Sequence, residues 1–321
     1  MSGQAFQIAD YETTPHLVAF DPCKPTGDQV LVRIRACGLN FSDLLMIKGK
    51  YQQRPKPPVT LGMELAGDVL AIGDTVRGIA LGDRVAIYSG QGGLATHGCF
   101  AANRCVRIPD SMPYDQAAGF LIAYGTSHLA LKRRARLQPG ETLLVLGAAG
   151  GVGLTAVEIG KRMGATVIAC ARGDAKLAIA QKAGADHLID SDNDDITEAT
   201  RALGRADVVY DAVGGDQFRA ALRAINPEGR LLAIGFASGD IPQIPANHLL
   251  VKNVDVLGLN FGAYLEFRPD ALADTFTELL QWYDQGGVRP HISHRFPLDQ
   301  AAEALQTLRA RNSTGKIIVE P

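Results

Sequence analysis

The sequence predicts an α/β protein in which a doubly wound parallel sheet of the Rossmann type accompanies a β-rich barrel domain. Two observations lead to this prediction. An apolar strand at 143–146 runs directly into a glycine-rich turn and a helix, and apolar runs then alternate with helical patterns through the middle of the chain. Residues 1–120 instead hold many short apolar runs between Gly and Pro turns, which is typical of a partly open barrel.

The glycine-rich turn is the strongest indication of function. Glycine lacks Cβ, so the backbone can bend sharply and approach a pyrophosphate, whose charge is attracted by the N–H groups and dipole of the following helix. The dinucleotide fingerprint G-x-G-x-x-G is matched in part, because Ala148 stands at its first glycine. An ordinary glycine-rich turn is the alternative. The residues predicted to contact a dinucleotide here are Ala148, Gly150, Gly151, Val152 and Gly153.

Strand and helix patterns alternate after this turn. Apolar runs at 165–171, 187–190, 206–213, 230–236 and 254–261 predict strands, and the patterns at 174–183, 196–203, 217–225 and 246–251 predict helices. With the strand at 143–146 they complete a doubly wound sheet, which binds its ligand at the carboxyl ends of the strands. The loops expected there include 214–215 and 235–238, and Gly235 is predicted to contact the cofactor.

The end of the second strand indicates which dinucleotide binds. Sites for NAD usually carry Asp or Glu roughly 20 residues beyond the glycines, where this chain has Ala171. Arg172 follows directly and Lys176 lies one helical turn later, so the local charge favours the 2′-phosphate of NADPH. Asp174 lies between the two bases and weakens this inference, unless it serves as a cap of the helix. The alternative is that both bases are solvated surface charges.

Length and charge suit an enzyme of two domains. A chain of 321 residues exceeds what one core usually accommodates, and a hydrophobic fraction of 46% can fill two. Lys and Arg number 32 against 34 Asp and Glu, which gives a net charge of −2. No global field therefore attracts the chain to nucleic acid or to a membrane, and we expect neither as a partner.

The same sequence favours a cytoplasmic location. No apolar run is long enough to span a bilayer, and the first residues lack a signal-peptide pattern. The cysteines form no C-x-x-C pair, so we expect reduced thiols. They are Cys23, Cys37, Cys99, Cys105 and Cys170.

The C-terminal segment is expected to return to the first domain. Its patterns predict a helix at 271–285, a strand at 291–296, a helix at 298–311 and a strand at 315–319. The expected domains are therefore 1–120, 121–262 and 263–321. The cleft between the two lobes is expected to hold the reactive end of the cofactor and the substrate.

Several segments in the right order resemble one superfamily. They are ACGLNFSD at 36–43, LGMELAG at 61–67, IALGDRVA at 79–86, GAAGGVG at 147–153 and YDAVG at 210–214. The chain resembles the medium-chain dehydrogenase/reductase superfamily, and within it the zinc-free, zeta-crystallin-like quinone oxidoreductase branch. This resemblance implies a GroES-like barrel with the substrate site, a Rossmann domain, hydride transfer from a nicotinamide cofactor, and a homodimer joined through the last strands of its nucleotide-binding sheets.

The counterparts of the zinc ligands argue against a metal. In the resembling zinc alcohol dehydrogenases, a cysteine and a histidine take the places of Asn40 and Met63, and neither Asn nor Met is a suitable ligand there. Cys99 and Cys105 cannot supply the four thiolates of a structural site. Without a Lewis acid, the acceptor must already be electrophilic. We therefore expect a quinone or an α,β-unsaturated carbonyl compound as the substrate.

Three residues of the first domain are predicted catalytic residues. Tyr51 stands at the tyrosine of a Gly-x-Tyr motif that in the resembling family lies beside the nicotinamide. Its phenol, protonated at neutral pH, can donate a proton, or it can form a wall that only shapes the pocket. By resemblance, Asn40 and Asp43 position the nicotinamide ribose. Their alternative role is an Asx-turn after the strand.

The resemblance also implies cofactor contacts in the second domain. They fall on Tyr124, Phe236, Asn260 and Phe261, of which the two phenylalanines could instead be core. Two residues depart from the family pattern. Ala123 replaces a threonine, and Ser191 replaces a tyrosine that contacts the adenosine phosphate in some members. Ser191 is still a predicted cofactor contact. Both changes are expected to alter the affinity for the cofactor more than the identity of the cofactor.

The sequence favours one function, and two alternatives remain open. The first, favoured function is an NADPH-dependent oxidoreductase acting on quinones or enones. The second is an enoyl-thioester reductase, in which the basic cluster at 132–136 would meet the phosphates of coenzyme A, although this cluster also suits a helix end exposed to solvent. The third is a non-catalytic NADPH-binding protein with a structural or regulatory role.

Overall fold

The computed structural model describes residues 2–321, which divide into two compact units. One unit contains the residues up to Ile122 together with Pro290–Pro321, and the other contains Ala123–Arg289. The first division lies close to residue 120. Residues 263–289, expected in the C-terminal segment, lie in the second unit instead.

The elements follow one another in three stretches. Up to residue 120 they are β1 (Gly3–Ile8), β2 (His16–Phe20), β3 (Gln29–Gly38), α1 (Phe41–Ile47), β4 (Val59–Thr60), β5 (Glu64–Ile72), β6 (Arg84–Tyr88), β7 (His97–Ala101), a 3₁₀ turn (Ala102–Arg104), β8 (Cys105–Arg107) and α2 (Tyr114–Ala118). From 121 to 289 they are α3 (Leu121–His128), a π-helical turn (Leu129–Arg134), β9 (Thr142–Leu146), α4 (Gly151–Arg162), β10 (Thr166–Ala171), α5 (Gly173–Lys182), β11 (His187–Asp190), α6 (Ile196–Ala202), β12 (Ala206–Asp211), α7 (Gly215–Arg223), β13 (Ile225–Ala233), α8 (Ala246–Lys252), β14 (Asp255–Gly258), α9 (Tyr264–Phe267) and α10 (Pro269–Asp284). The last stretch contains β15 (Ile292–Pro297), a 3₁₀ turn (Leu298–Gln300), α11 (Ala301–Arg309) and β16 (Lys316–Glu320).

The first unit is built from two sheets. A three-stranded sheet has the order β2-β1-β4, and a larger sheet has the order β15-β16-β3-β5-β6-β8, with β7 also paired to β3. Alternate residues of β3 point into the core, where Val30, Val32 and Ile34 pack with apolar residues of β5 and β6. Strand β16 pairs with the end of β3, which brings the C-terminal strand into this unit. The predicted β-rich, GroES-like architecture is confirmed.

The second unit is a doubly wound parallel sheet. Its strand order is β11-β10-β9-β12-β13-β14, and every pairing is parallel. Strand β9 lies in the middle, and its residues from Leu143 to Leu146 are apolar and buried, as expected where helices cover both faces of such a sheet. The chain reverses direction across the sheet between β9 and β12, which is the position where such folds bind ligands. The predicted Rossmann architecture is confirmed.

Two strand predictions differ most from the structure. Strand β13 begins at Ile225, which sequence periodicity assigned to the end of a helix. The segment after Ile225 contains Pro227 and Glu228, whose φ is +63°, and the pairing with β12 shifts register there. That irregularity conceals the strand pattern. The last strand, β14, covers only Asp255–Gly258 of the predicted 254–261.

The expectation of fully reduced cysteines is wrong. Cys23 and Cys99 form a disulfide with their Cα atoms 6.1 Å apart, across a sequence separation of 76 residues. Cys99 lies on β7 and pairs with Leu31 of β3, so the sheet brings it near the segment that precedes β3. Spacing along the sequence gives no sign of such a long-range pair. Cys37, Cys105 and Cys170 are free thiols.

Among residues 2–321, the helices are all too short or too polar to cross a membrane.

Candidate functional site

The glycine-rich turn connects β9 to α4. Gly147 has a φ of +70°, and Gly150 is the N-cap of α4. A Cβ on Gly153 would lie 2.1 Å from the carbonyl oxygen of Gly147, so only glycine allows the first turn of α4 to pack on this strand end. The left-handed glycine is Gly147, one residue before the fingerprint position occupied by Ala148. The sharp turn therefore does not require glycine at 148.

This turn offers the features that a pyrophosphate needs. The first N–H groups of a helix have no partner within the helix and point outward with the positive end of its dipole. In α4 these groups belong to Gly151, Val152 and Gly153, and Gly151 and Val152 are half-buried while Gly150 is exposed. The backbone here is thus accessible and carries no bulky side chain at its closest approach.

The predicted adenosine-phosphate residues lie together at the ends of β10 and β11. Arg172 is the exposed N-cap of α5, and Lys176 follows within the first turn and a half. Ser191 lies beside them, because its N–H donates to the carbonyl of Ala171 at 3.0 Å. Gly173 has a φ of +71°, and no heavy atom lies within 4 Å of where its Cβ would be. Space beside two basic side chains fits a phosphorylated ribose.

A carboxylate that the sequence did not single out lies at the same place. Asp190 accepts hydrogen bonds from the N–H of Gly173 at 3.0 Å and from the amide of Asn193 at 2.7 Å. These bonds, the one from Gly173 first, lower the pKa of Asp190. Asp190 begins an acidic run at 190–195, and such a run also suits a solvated helix cap. Asp195 does cap α6 through the N–H of Glu198, but Asp190 organises the loop beside Arg172.

The loops after β12 and β13 meet at the carboxyl edge of the sheet. The N–H groups of Ile234 and Gly235 donate to the carbonyl of Asp211, so Gly235 lies against the end of β12. The Asp211 side chain accepts hydrogen bonds from the N–H groups of Val213 and Gly214, at 2.7 and 2.9 Å. Burial raises the pKa of Asp211. Phe236 follows with 37% of its surface exposed, so it is not a core residue.

Two other predicted cofactor contacts, Phe261 and Tyr124, are packed inside the second unit, whereas Asn260 is exposed. Phe261 is buried, and its ring meets Phe276 edge to face with centroids 6.3 Å apart. Asn260 accepts a hydrogen bond from the N–H of Ala263 at 3.3 Å. Tyr124 is almost fully buried, and its hydroxyl donates to the carboxylate of Glu158. Phe261 and Tyr124 are thus positioned as part of the packed interior.

Burial shapes the chemistry of this tyrosine. It raises the pKa of Tyr124, with the neighbouring Glu158 carboxylate as a further cause. Burial also raises the pKa of Glu158 to about 7. The Tyr124 phenol therefore remains protonated and directed at Glu158.

In the first unit, Asn40 and Asp43 form the start of α1. Asn40 is the N-cap, and its N–H donates to Asp43 Oδ2 at 2.8 Å. Asp43 is 1% exposed and also accepts from the N–H of Gly62 at 3.2 Å. Burial raises its pKa to about 6. Asp43 thus holds two backbone segments together around Asn40.

The Asn40 side chain contacts two charged residues that sequence reasoning missed. Its amide nitrogen donates to Glu64 Oε1 at 3.0 Å, and its Oδ1 accepts from Lys316 Nζ at 2.8 Å. Glu64 and Lys316 form a buried ion pair. The available signal was a single charged residue at the start of an apolar strand, in ELAG at 64–67 and KIIV at 316–319.

Tyr51 is half-buried and shares a hydrogen bond with the hydroxyl of Tyr88, at the end of β6. Burial raises the pKa of Tyr51 and also that of Tyr88. Both phenols are therefore protonated at neutral pH. Tyr88 was not singled out from the sequence, because a tyrosine that ends an apolar strand also fits a core position.

The residues near Asn40 offer poor metal ligands. Met63 is buried, and Cys37 is a buried thiol whose pKa is raised by that burial. Within residues 2–321, no group of three or more His, Cys, Asp or Glu side chains is arranged to hold a metal ion.

The first unit also contains a cavity of about 580 Å³. It is bounded by both polar and apolar residues of several strands, and none of the three predicted catalytic residues lines it. Its walls include Gln7, Thr60, His97, Cys99 and Arg104.

Comparison with known proteins covers both units. The family description "Alcohol dehydrogenase GroES-like domain" matches residues 26–120, and "Zinc-binding dehydrogenase" matches residues 151–283. A "Quinone oxidoreductase-like protein 2 homolog" from Nematostella vectensis is 41% identical over 297 residues, which cover 91% of this chain and 81% of that protein.

Solved structures match the whole chain. A mycobacterial protein complexed with NADPH has a TM-score of 0.93 and 27% identity, with 100% of both chains covered. The quinone oxidoreductase of Escherichia coli, also complexed with NADPH, has a TM-score of 0.90 and 28% identity, again over 100% of both chains.

Proposed function

This chain belongs to the quinone oxidoreductase branch of the medium-chain dehydrogenase/reductase superfamily, and we propose that it is an NADPH-dependent oxidoreductase that reduces a quinone or an α,β-unsaturated carbonyl compound. The main support is the turn from Gly147 to Gly153. Only glycine fits at position 153 of this turn, and the start of α4 is accessible beside the middle of a parallel sheet. The NADPH complexes of two structural relatives add to it.

NADPH fits the residues of the second unit. Ala148, Gly150, Gly151, Val152 and Gly153 would hold the pyrophosphate through backbone N–H groups. At the adenosine end, two basic side chains near Gly173 would hold the 2′-phosphate, and the space beside Gly173 is open. Those side chains are Arg172 and Lys176, with the Ser191 hydroxyl beside them.

Two sets of residues are proposed to hold the nicotinamide half. Asn40 and Asp43 are proposed to position the ribose, while Gly235, Phe236 and Asn260 border the carboxyl edge of the sheet. Tyr124 and Phe261 would support this region from the interior, in agreement with their burial. When bound, NADPH supplies the hydride; the chain supplies orientation, exclusion of water and a proton.

Tyr51 is the proposed proton donor. Its raised pKa keeps the phenol protonated, and the hydrogen bond with Tyr88 restrains the direction of its hydroxyl. For an enone, the hydride is added at the β-carbon and a proton at the α-carbon. For a quinone, the proton is added on oxygen, which water can also supply. In both cases water restores the Tyr51 proton.

No metal takes part in this proposal. An amide and a thioether stand where the related dehydrogenases have zinc ligands, and neither makes a Zn²⁺ site with the surrounding groups. Chemistry without a Lewis acid requires an acceptor that is already electron-poor. Quinones and enones meet that requirement, whereas a simple ketone does not.

Activity is expected to be independent of zinc. Dialysis against a chelator should leave NADPH oxidation unchanged, and elemental analysis should find far less than one zinc per chain. A zinc alcohol dehydrogenase treated in parallel serves as the control for metal removal. One equivalent of bound zinc, or activity that returns only when zinc is added, would overturn this assignment.

The acceptor class is tested by NADPH consumption against quinones, enones and enoyl-CoA esters. We expect turnover with quinones or enones. Preference for the CoA esters would favour the enoyl-thioester reductase, and Arg133→Ala would then test the basic cluster. Binding of NADPH with no turnover of any acceptor would favour the non-catalytic protein.

We also propose a homodimer formed through the last strand of the nucleotide-binding sheet. Strand β14 is the edge of that sheet, and an exposed edge leaves N–H and C=O groups open. The adjacent α8 has no buried residue among those described, and Leu250 and Val251 are 77% and 74% exposed. Large apolar side chains beside an open edge are typical of an interface.

The dimer is expected to have twice the 34.2 kDa mass of the chain in light scattering at micromolar concentration. Leu250→Lys/Val251→Lys should give a folded monomer, because two cations would be buried at the contact. Leu81→Lys changes an exposed leucine of the first unit and is the matched control. A monomeric wild-type protein would refute the proposed dimer.

A further inference from the structure

The first unit contains a buried ion pair whose position has a consequence for Asn40. Lys316 Nζ lies 2.8 Å from Glu64 Oε1, and the two side chains are 5% and 1% exposed. Removing two charges from water costs several kcal/mol for each ion, so such a pair is weak support for stability by itself. Its hydrogen bonds indicate what else it does.

Every donor of the ammonium group has a partner. Lys316 Nζ donates to the carbonyl of Leu39 at 2.7 Å, to Asn40 Oδ1 at 2.8 Å and to Glu64 Oε1 at 2.8 Å. The other oxygen of Glu64 accepts from the N–H of Ile122 at 3.0 Å. Because an ammonium only donates and a carboxylate only accepts, these two groups impose opposite requirements on the amide between them.

Only one orientation of the Asn40 amide satisfies both groups. Oδ1 faces Lys316, and Nδ2 faces Glu64 Oε1 at 3.0 Å and the carbonyl of Gly38 at 3.2 Å. A flipped amide would place N–H against ammonium and oxygen against carboxylate. Both Nδ2 hydrogens are thereby used within the protein, so the amide can serve a ligand only as an acceptor, through Oδ1.

We propose that Lys316 and Glu64 are positioning residues that fix Asn40 as a hydrogen-bond acceptor for a ribose hydroxyl of the nicotinamide half of NADPH. This role rests on the proposed function, since it requires that the chain bind NADPH. It gives the C-terminal strand β16 a part in cofactor binding, because Lys316 is its first residue.

A purely structural role is the competing account. Lys316 also joins β16 to Leu39 at the end of β3, so its loss could loosen the sheet without acting through Asn40. The two accounts differ in whether the effects of Asn40 and of the ion pair are independent. Independent effects multiply, whereas effects exerted through one side chain do not.

The test compares the wild type, Asn40→Ala, Glu64→Gln/Lys316→Met and the triple variant. The ion-pair variant leaves no unpaired buried charge, so it is expected to fold. The first measurement is the dissociation constant of NADPH from fluorescence titration without an acceptor, and melting temperature is recorded separately. Arg230→Met/Glu141→Gln removes another partly buried ion pair, in the second unit, and is the matched control.

Asn40→Ala and the ion-pair variant should each weaken NADPH binding roughly three- to tenfold, the scale of one hydrogen bond. The dissociation constant of NADPH in the triple variant should equal that of Asn40→Ala within about twofold. The Arg230→Met/Glu141→Gln control should bind NADPH as the wild type does. If the loss of NADPH affinity in the triple variant equals the product of the losses in Asn40→Ala and in the ion-pair variant, the positioning role is overturned and the proposed function stays intact. Failure of the wild type to bind NADPH would overturn both.

A second variant keeps the test decisive if the ion-pair variant does not fold. Asn40→Asp/Glu64→Gln exchanges the carboxylate and the amide, so Lys316 keeps an anionic partner and position 40 keeps an acceptor oxygen. Binding of NADPH within about threefold of the wild type is expected. If Asn40 must donate instead, this exchange should weaken binding as much as Asn40→Ala does, which would overturn the assignment.

Discussion

Replacing Tyr51 by phenylalanine is expected to lower kcat for an enone roughly 10²–10⁴-fold and to leave NADPH affinity nearly unchanged. This is the range over which a positioned general acid contributes to a rate. The enone needs a proton on carbon, which water delivers slowly, whereas a quinone needs one on oxygen. The loss should therefore be larger for enones than for quinones in steady-state assays of the same variant.

Tyr114→Phe is the matched control for this substitution. Tyr114 also lies in the first unit and has a hydroxyl bonded to a carboxylate, that of Asp68, with a raised pKa caused mainly by burial. It is not part of the proposed site, so its variant should retain activity. Full activity of Tyr51→Phe on both acceptor classes would contradict proton donation and show that Tyr51 only shapes the pocket.

Loss of the Arg172 side chain should remove most of the preference for NADPH. The wild type is expected to bind NADPH well over tenfold more tightly than NADH, since each charge-assisted contact contributes about 1.5–3 kcal/mol. Asp190 lies at the same loop and opposes this preference, so Arg172 and Lys176 must outweigh it. The measurement is the pair of dissociation constants for the two cofactors.

In Arg172→Ala, the dissociation constant of NADPH should rise about tenfold or more, while the dissociation constant of NADH stays the same. Lys182→Ala removes an equal charge from the last turn of the same helix and should leave both constants unchanged. Equal affinity of the wild type for the two cofactors would contradict the assignment, as would an Arg172→Ala variant with unaltered preference.

Local patterns were sufficient for most of the fold. The apolar strand and glycines at 143–153 specify a turn that only small residues can make, and the alternation after it specifies a parallel sheet. The short apolar runs between Gly and Pro turns predicted a barrel in residues 1–120, and resemblance to the superfamily identified it as GroES-like. The prediction of β13 was wrong at its start, because Pro227 and the left-handed Glu228 interrupt the strand pattern. Pairing with β12 maintains a strand that local propensity does not indicate.

The polar contacts of the site were less accessible to sequence reasoning. Lys316 lies 252 positions from Glu64, and the sheet alone brings them together. The Cys23–Cys99 disulfide is another long-range pair that sequence spacing does not indicate. Tyr88 and Asp211 end apolar strands, where buried polar residues are difficult to separate from core. Asp190 was hidden in an acidic run that also suits a solvated cap.

The most direct test of the account is the fate of deuterium from NADPH that carries deuterium at both C4 positions of the nicotinamide, in chelator-treated enzyme with an enone acceptor. We expect the label at the β-carbon of the reduced product, a proton from solvent at the α-carbon, and slower oxidation of the labelled cofactor. A product without deuterium, or activity that disappears with the chelator, would contradict metal-free hydride transfer by this chain.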